Sequence, residues 1–371
     1  MAAILPNRAT ASLARALLSL ALLLSTATAA VAAVPGREGV PAFAHVVVIV
    51  AENKDFDQVI SGPDAPNLSR LARTFGVATN FYGETHPSEP NYVALLGGDT
   101  FGIHDDDAWY CKPGLKDPAC AGSAAAGYPN HTVTSPHLGN ELDAAGRSWR
   151  GYFEDIPEAG SMAYIAAPAG AAPLGRYNAL YAAKHTGFTN FASTGRDPHR
   201  AEHLVGFDRL RADIASNQLP AFALIVPNQC NEMHGLVGEG APADCSPGNM
   251  PALIRRGDDH IGRIVASLQA SPAWRSKENM AIVVTFDEGG HGTSEGCCAA
   301  TPAEGRFLGG GHIPTLVIAN HGPRGLTDAT AYNHYSLLRT IEDALGVSGH
   351  LGHAADTAKG VRPMGRLFGG S

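Results

Sequence analysis

The sequence predicts an α/β fold, a mostly parallel central sheet flanked by helices, with loop-rich insertions over the face that carries the strand ends. Three observations predict it. Short β-branched runs recur along the chain and are apolar at nearly every position, the pattern of strands buried on both faces. Helical patterns stand between or after them, giving the alternating order of a parallel sheet with crossover helices. Hydrophobic residues make up 44% of the 371 and charged residues 17%, an ordinary globular composition with enough apolar side chains for a large core. The 43 glycines and 25 prolines follow no fixed period, which excludes collagen-like and solenoid architectures.

In chain order, residues 45–52 read as the first strand and 66–75 as a helix. A strand at 78–83 precedes a short helix at 91–96. A helix at 202–216 leads to a strand at 222–228, and a long helix at 252–268 to a strand at 281–288. A strand at 313–320 and a helix at 335–345 complete the pattern. Two stretches break the alternation: residues 98–136, with two cysteines and five aspartates, and residues 157–199, rich in Ala, Gly and aromatics. Both read as insertions over the active face of a single domain spanning residues 34–371.

Residues 1–33 read as a secretory signal peptide. Arg8 and Arg15 precede the apolar run 16–24, and small residues follow with cleavage sites such as Ala30-Val31-Ala32. The leucine-rich part is shorter than the ~20 residues a membrane span requires, and no later segment is long and apolar enough. A periplasmic or secreted protein is expected, with no stable membrane span after cleavage. All six cysteines lie beyond residue 33, and an even number in an oxidising compartment implies disulfides. Cys111 with Cys120 and Cys230 with Cys245 are plausible local pairs, while Cys297 and Cys298 are open to other partners; a cysteine zinc site lacks the paired spacing it needs. The formal net charge is −8, and the first 33 residues hold two arginines and no acid. The remainder is therefore more acidic still, which argues against nucleic acid as a partner.

Ligands of an open parallel sheet bind at the carboxyl ends of its strands, and here those ends are acidic. The first strand runs into Glu52-Asn53 and the strand at 281–288 into Asp287-Glu288. Adjacent carboxylates repel unless a cation or proton compensates them, so convergence of these ends calls for a divalent metal. The alternative for any one strand-end acid is a helix cap or a solvent-facing position. Between them lies Thr85-His86-Pro87-Ser88-Glu89-Pro90-Asn91-Tyr92, where a strand stops and a helix starts near Pro90. Ser88 then stands at a helix N-terminus, either as a nucleophile beside a phosphoryl group or as an N-cap. A third polar exit, Pro227 to Gly235, carries His234, and His86, His291 and His312 stand at similar positions.

Taken in this order, these motifs resemble the bacterial phosphoesterase family that contains secreted acid phosphatases, phosphatidylinositol-3-phosphatases and non-hemolytic-type phospholipases C. The resemblance spans roughly residues 45 to 346. It implies the alkaline-phosphatase-like fold, with a Ser or Thr nucleophile beside metal. The stretch Ser88-Glu89-Pro90-Asn91-Tyr92 also looks like the Thr-Phe-Pro-Asn-His of nucleotide pyrophosphatase/phosphodiesterases, which implies that Ser88 is the nucleophile and that Asn91 contacts phosphate. By the same resemblance Glu52, Asn53, Asp287 and Glu288 are metal ligands, His234 contacts the phosphate, and His86 and His312 stand where further phosphate contacts fit. The third strand exit lacks the Asp-x-x-x-His pair of two-metal relatives, which favours a single ion. Cys111-Lys112-Pro113-Gly114-Leu115 lacks the arginine of the sulfatase motif, which disfavours sulfatase activity.

The expected function is metal-assisted hydrolysis of a phosphate ester, small molecule or phosphoinositide, through a phosphoserine on Ser88, with His234 protonating the leaving alcohol. The all-oxygen ligand set favours one hard divalent ion, Ca²⁺, Mg²⁺ or Mn²⁺, over zinc. The nearest alternative is a phospholipase C-type phosphodiesterase using the same site; a more distant one is a non-catalytic protein that binds metal and an anion.

Overall fold

The apolar runs form strands that share one sheet. The computed structural model describes residues 37–166, 179–237, 240–290, 292–299 and 309–370; these lie within one unit, Val34–Ser371, and the other, Met1–Ala33, falls outside them, as does the expected signal peptide. The strands are β1 (His45–Ala51), β2 (Gly76–Tyr82), β3 (Trp149–Phe153), β4 (Ile165–Ala166), β5 (Tyr181–Ala182), β6 (Leu204–Val205), β7 (Phe222–Val226), β8 (Met280–Phe286), β9 (Thr315–Ala319) and β10 (Leu326–Asn333). Eight of them form a sheet in the order β10-β2-β9-β8-β1-β7-β3-β6, and β4 and β5 pair separately. Every neighbour in the sheet is parallel except β9, which runs antiparallel to both β2 and β8.

Central position explains the uniform hydrophobicity of β1, β7 and β8: all residues of β7 and β8 and all but His45 of β1 are buried. The same logic explains which strands the pattern hides. β10 is an edge strand that mixes Thr327, Asp328, Thr330 and Asn333 with its apolar residues, and β3 carries Arg150 and Gly151 within five residues. The single helix expected at 202–216 is two, Arg200–His203 and Phe207–Ala215. Between them β6 extends the sheet beside β3, and Gly206 enters the second helix in an extended conformation.

Two helices are buried along their whole length. Ser88–Gly97 follows β2 and His334–Leu345 follows β10, and they pack against each other. The first ends at Gly98, which adopts the left-handed conformation with φ +74°. Long helices elsewhere bury one stripe: in Met250–Gln269 it runs through Leu253, Ile254, Ile261, Ile264, Val265 and Leu268. Its Asp258 accepts the amides of Asn67 and Leu68 at 2.9 and 2.8 Å, satisfying the start of the helix Pro66–Thr74.

All six cysteines are paired: Cys111–Cys120, Cys230–Cys245 and Cys297–Cys298. The two local pairs are those expected, and the adjacent cysteines bond to each other. Cys111 is thereby removed as a nucleophile, and no cysteine is left to ligate zinc. No helix among the described residues is long and apolar enough to cross a membrane.

A Cβ at position 98 would lie 2.2 Å from the Leu351 carbonyl oxygen, on a backbone that L residues disfavour. Gly98→Ala is therefore expected to lower stability by about 2 kcal/mol or more, read from urea denaturation; an unchanged midpoint would contradict this account of the helix end.

Candidate active site

The register of the sheet brings the acidic strand exits together. Ala51 pairs with Phe286 in the β1–β8 ladder, so Glu52 and Asp287 emerge side by side, and the Asp287 amide donates to Ala51 O at 3.0 Å. On the other flank of β1 the Glu52 amide donates to Glu232 O at 2.7 Å, tying in the exit of β7. Asn53 then turns with φ 57°, a conformation asparagine tolerates better than most residues. The turn lets its amide N–H donate to Asp287 Oδ1 at 3.1 Å and its Nδ2 to Glu52 Oε2 at 2.9 Å.

Ser88 is the first residue of its helix, reached through a cis His86-Pro87 peptide. Its Oγ donates to Glu52 Oε2 at 3.0 Å and lies 3.4 Å from Glu288 Oε1. Five expected residues, Glu52, Asn53, Ser88, Asp287 and Glu288, thus converge. All but Asn53 are buried. Burial, then the charges of Asp287 and Glu232, push Glu52 well up; burial, then Glu288, push Asp287 up to about 7; burial likewise raises Glu288 and Glu232. Asn53 Oδ1 and Asp287 Oδ2 have no hydrogen-bond partner among the described residues. Unpaired buried oxygens among crowded carboxylates fit a hard divalent cation. Glu52, His185 and His234 form a second group that could hold an ion, with one ligand atom from each within 4.8 Å of the others.

The remaining expected residues behave differently. His86 lies between Glu288 Oε2, 2.5 Å from its Nδ1, and Thr293 O, 2.8 Å from its Nε2. Burial opposes its charge, but Glu288 prevails and raises its pKa. His234 is the opposite case. Its Nδ1 is 2.8 Å from Gly235 O, and burial, then the charge of Lys184, push it down to about 3. Burial thus disfavours the imidazolium that a histidine acid at this position would need. Asn91 is engaged by the main chain: its Oδ1 accepts from the amides of Glu84 and Thr85, and its Nδ2 donates to the carbonyls of Thr85 and Pro87. It holds the turn before Ser88. His312 is likewise occupied, stacked on Phe56 with its Nε2 2.8 Å from Thr79 O. His291 lies outside the described residues.

Several site residues escape the sequence patterns. Tyr92, one helical turn after Ser88, donates to Glu52 Oε1 at 2.7 Å and stacks on His185. His185 has Nε2 3.4 Å from Glu52 Oε1 and Nδ1 2.7 Å from Glu232 Oε1. Glu232 was visible as part of the β7 exit, but His185 and its neighbour Lys184 come from the insertion 157–199, where no periodicity marks them. The other insertion contributes Asp106, whose Oδ1 accepts the Glu89 amide at 3.0 Å, and His131, whose Nδ1 is 3.1 Å from buried Glu89. The Cys230–Cys245 bond anchors the loop that carries Glu232 and His234.

The model of the Phosphoesterase family matches residues 60–348. Among known proteins, the phosphatidylinositol-3-phosphatase of Mycobacterium tuberculosis is 29% identical over 307 residues, covering 83% of this chain and 78% of that protein. The phosphate-repressible acid phosphatase of Penicillium chrysogenum is 28% identical over 306 residues, covering 82% of this chain and 60% of the fungal protein. The chain therefore spans less than two thirds of that relative. A protein of the alkaline phosphatase superfamily from Vibrio parahaemolyticus matches in structure with TM-score 0.51 at 13% identity, over 85% of this chain and 69% of that one; the likeness is one of fold.

An acid raised on folding binds more protons folded than unfolded, so its contribution to stability is present below its unfolded pKa and lost as pH rises through the folded one. For Asp287 that window runs from 3.8 to about 7. Chelator-treated protein is expected to melt at progressively lower temperature across that window, and saturation with a divalent cation to remove the decline. Identical melting profiles with and without cation would contradict a metal role for these carboxylates.

Proposed function

The chain belongs to the Phosphoesterase family, and from that premise we propose that it is an exported, cation-dependent phosphomonoesterase that works through a phosphoserine on Ser88. It is a hydrolase of phosphoric esters, the class to which its phosphatase relatives belong by name. The observation that carries the finer reading is the Ser88 hydroxyl, at the first position of a buried helix and 3.0 Å from Glu52 Oε2, amid Asp287 and Glu288.

Glu52, Asn53, Asp287 and Glu288, with the Ser88 hydroxyl, would hold one divalent ion. When bound, such an ion supplies Lewis acidity toward a phosphoryl oxygen and lowers the pKa of a neighbouring hydroxyl. The protein's own groups account for the rest. Asn91 fixes the turn that presents Ser88, and Tyr92 and Asn53 orient the Glu52 carboxylate by hydrogen bonds to its two oxygens. As Ser88 Oγ bonds to phosphorus, the bond from phosphorus to the ester oxygen breaks; the Ser88 proton passes to Glu52, its hydrogen-bond acceptor, and from there through solvent to the departing oxygen, which leaves as the alcohol. Water then cleaves the phosphoserine, releasing phosphate and restoring the Ser88 hydroxyl. Glu288 raises the pKa of His86 against the effect of burial and so favours positive charge at the edge of the carboxylate cluster. Neutral His234 and His185 complete the wall through their ring nitrogens.

Ser88→Ala is expected to reduce turnover of a chromogenic phosphomonoester by at least about 10³-fold while leaving the melting temperature near wild type. Retained turnover in a folded Ser88→Ala protein would refute the nucleophile assignment.

A further inference from the structure

Two ammonium groups bear on the acidic cluster, and they differ in what their hydrogens do. Lys54 is buried beneath the strand ends and donates to three main-chain oxygens, Met233 O at 2.8 Å, Asn53 O at 3.1 Å and Glu52 O at 3.4 Å. All three of its N–H groups are spent. Lys184 has a single hydrogen bond among the described residues, to Asp106 Oδ2 at 2.7 Å, which leaves two N–H groups for another acceptor. It is 11% exposed and Asp106 24%, so the pair is largely covered yet open to solvent.

The pair also sits against the reacting end of the nucleophile helix. The second oxygen of Asp106 accepts the amide of Glu89, the residue after Ser88, so one carboxylate links the Lys184 ammonium to the first turn of that helix. From the other side, the neighbouring His185 reaches Glu52 and Glu232. The charge of Lys184 is felt at Glu52, Glu232 and Glu288. One insertion supplies the lysine and the other the aspartate that aims it, and they meet beside Ser88.

We propose that Lys184 is a substrate-binding residue that selects phosphomonoesters over diesters, with Asp106 as its positioning residue. The inference rests on the phosphoesterase reading of the site. A monoester presents a dianionic phosphoryl group and a diester a monoanion. A fixed ammonium with two unspent donors, set among carboxylates that repel both, stabilises the dianion more. His86 differs in that both of its ring nitrogens are engaged, Nδ1 with Glu288 Oε2 and Nε2 with Thr293 O.

The test compares matched chromogenic mono- and diesters on cation-saturated wild type, Lys184→Gln and Lys184→Arg. Glutamine keeps a hydrogen bond to Asp106 but removes the charge; Lys184→Met gives the same comparison if the glutamine variant does not fold. In the neutral variant kcat/KM for the monoester is expected to fall about 100-fold and for the diester about tenfold or less, with preference largely restored in Lys184→Arg. A strut without contact to substrate would lower both alike. An unchanged mono-to-diester ratio in a folded neutral variant overturns this inference alone, whereas wild type that cleaves neither ester overturns the phosphoesterase reading and this inference with it.

Discussion

The repulsion among Glu52, Glu232, Asp287 and Glu288 is the constraint around which the rest of the molecule is organised. Four carboxyl groups, none more than about 1% exposed, are held together by the register of β1 with β8 and by the amide of Glu52 reaching Glu232. Burying unpaired carboxylates is costly enough that they take up protons or bind cations instead. The raised pKa values express that cost, and the unpartnered oxygens of Asn53 and Asp287 mark where a cation would relieve it.

Other features follow from holding this cluster in place. Asn91 spends its whole amide on the turn that delivers Ser88, Tyr92 fixes one oxygen of Glu52, and a fully buried helix pair forms the floor behind them. The first insertion is tied to the same helix through Asp106 and the Glu89–His131 contact, and Lys184 of the second pairs with that Asp106. They bring positive charge to a sheet edge whose strands supply negative charge.

The strand-end acids were legible because a buried parallel strand announces itself by an unbroken apolar run, and the first polar residues after it must lie at the sheet edge. The Ser88 turn was legible for the same reason, since Pro87 and Pro90 bracket a helix start. The protonation of His234 was not: burial and Lys184 decide it, and both are properties of the folded chain. The roles of Asn91 and His312 were hidden because side chains that suit a phosphate oxygen equally suit a main-chain carbonyl or amide. Lys184 and His185 reach the site through tertiary contacts that no local pattern announces, and β10 and β3 were obscured by the polar residues an edge strand carries and by Arg150 and Gly151.

Calorimetric titration of chelator-stripped protein with Mn²⁺, in buffers of differing ionisation enthalpy, tests the central claim most directly. The account predicts one saturable equivalent bound with release of protons from the carboxylates, and loss of that equivalent in Asp287→Asn. Absence of saturable binding, or an equivalent that survives Asp287→Asn with no proton release, would contradict it.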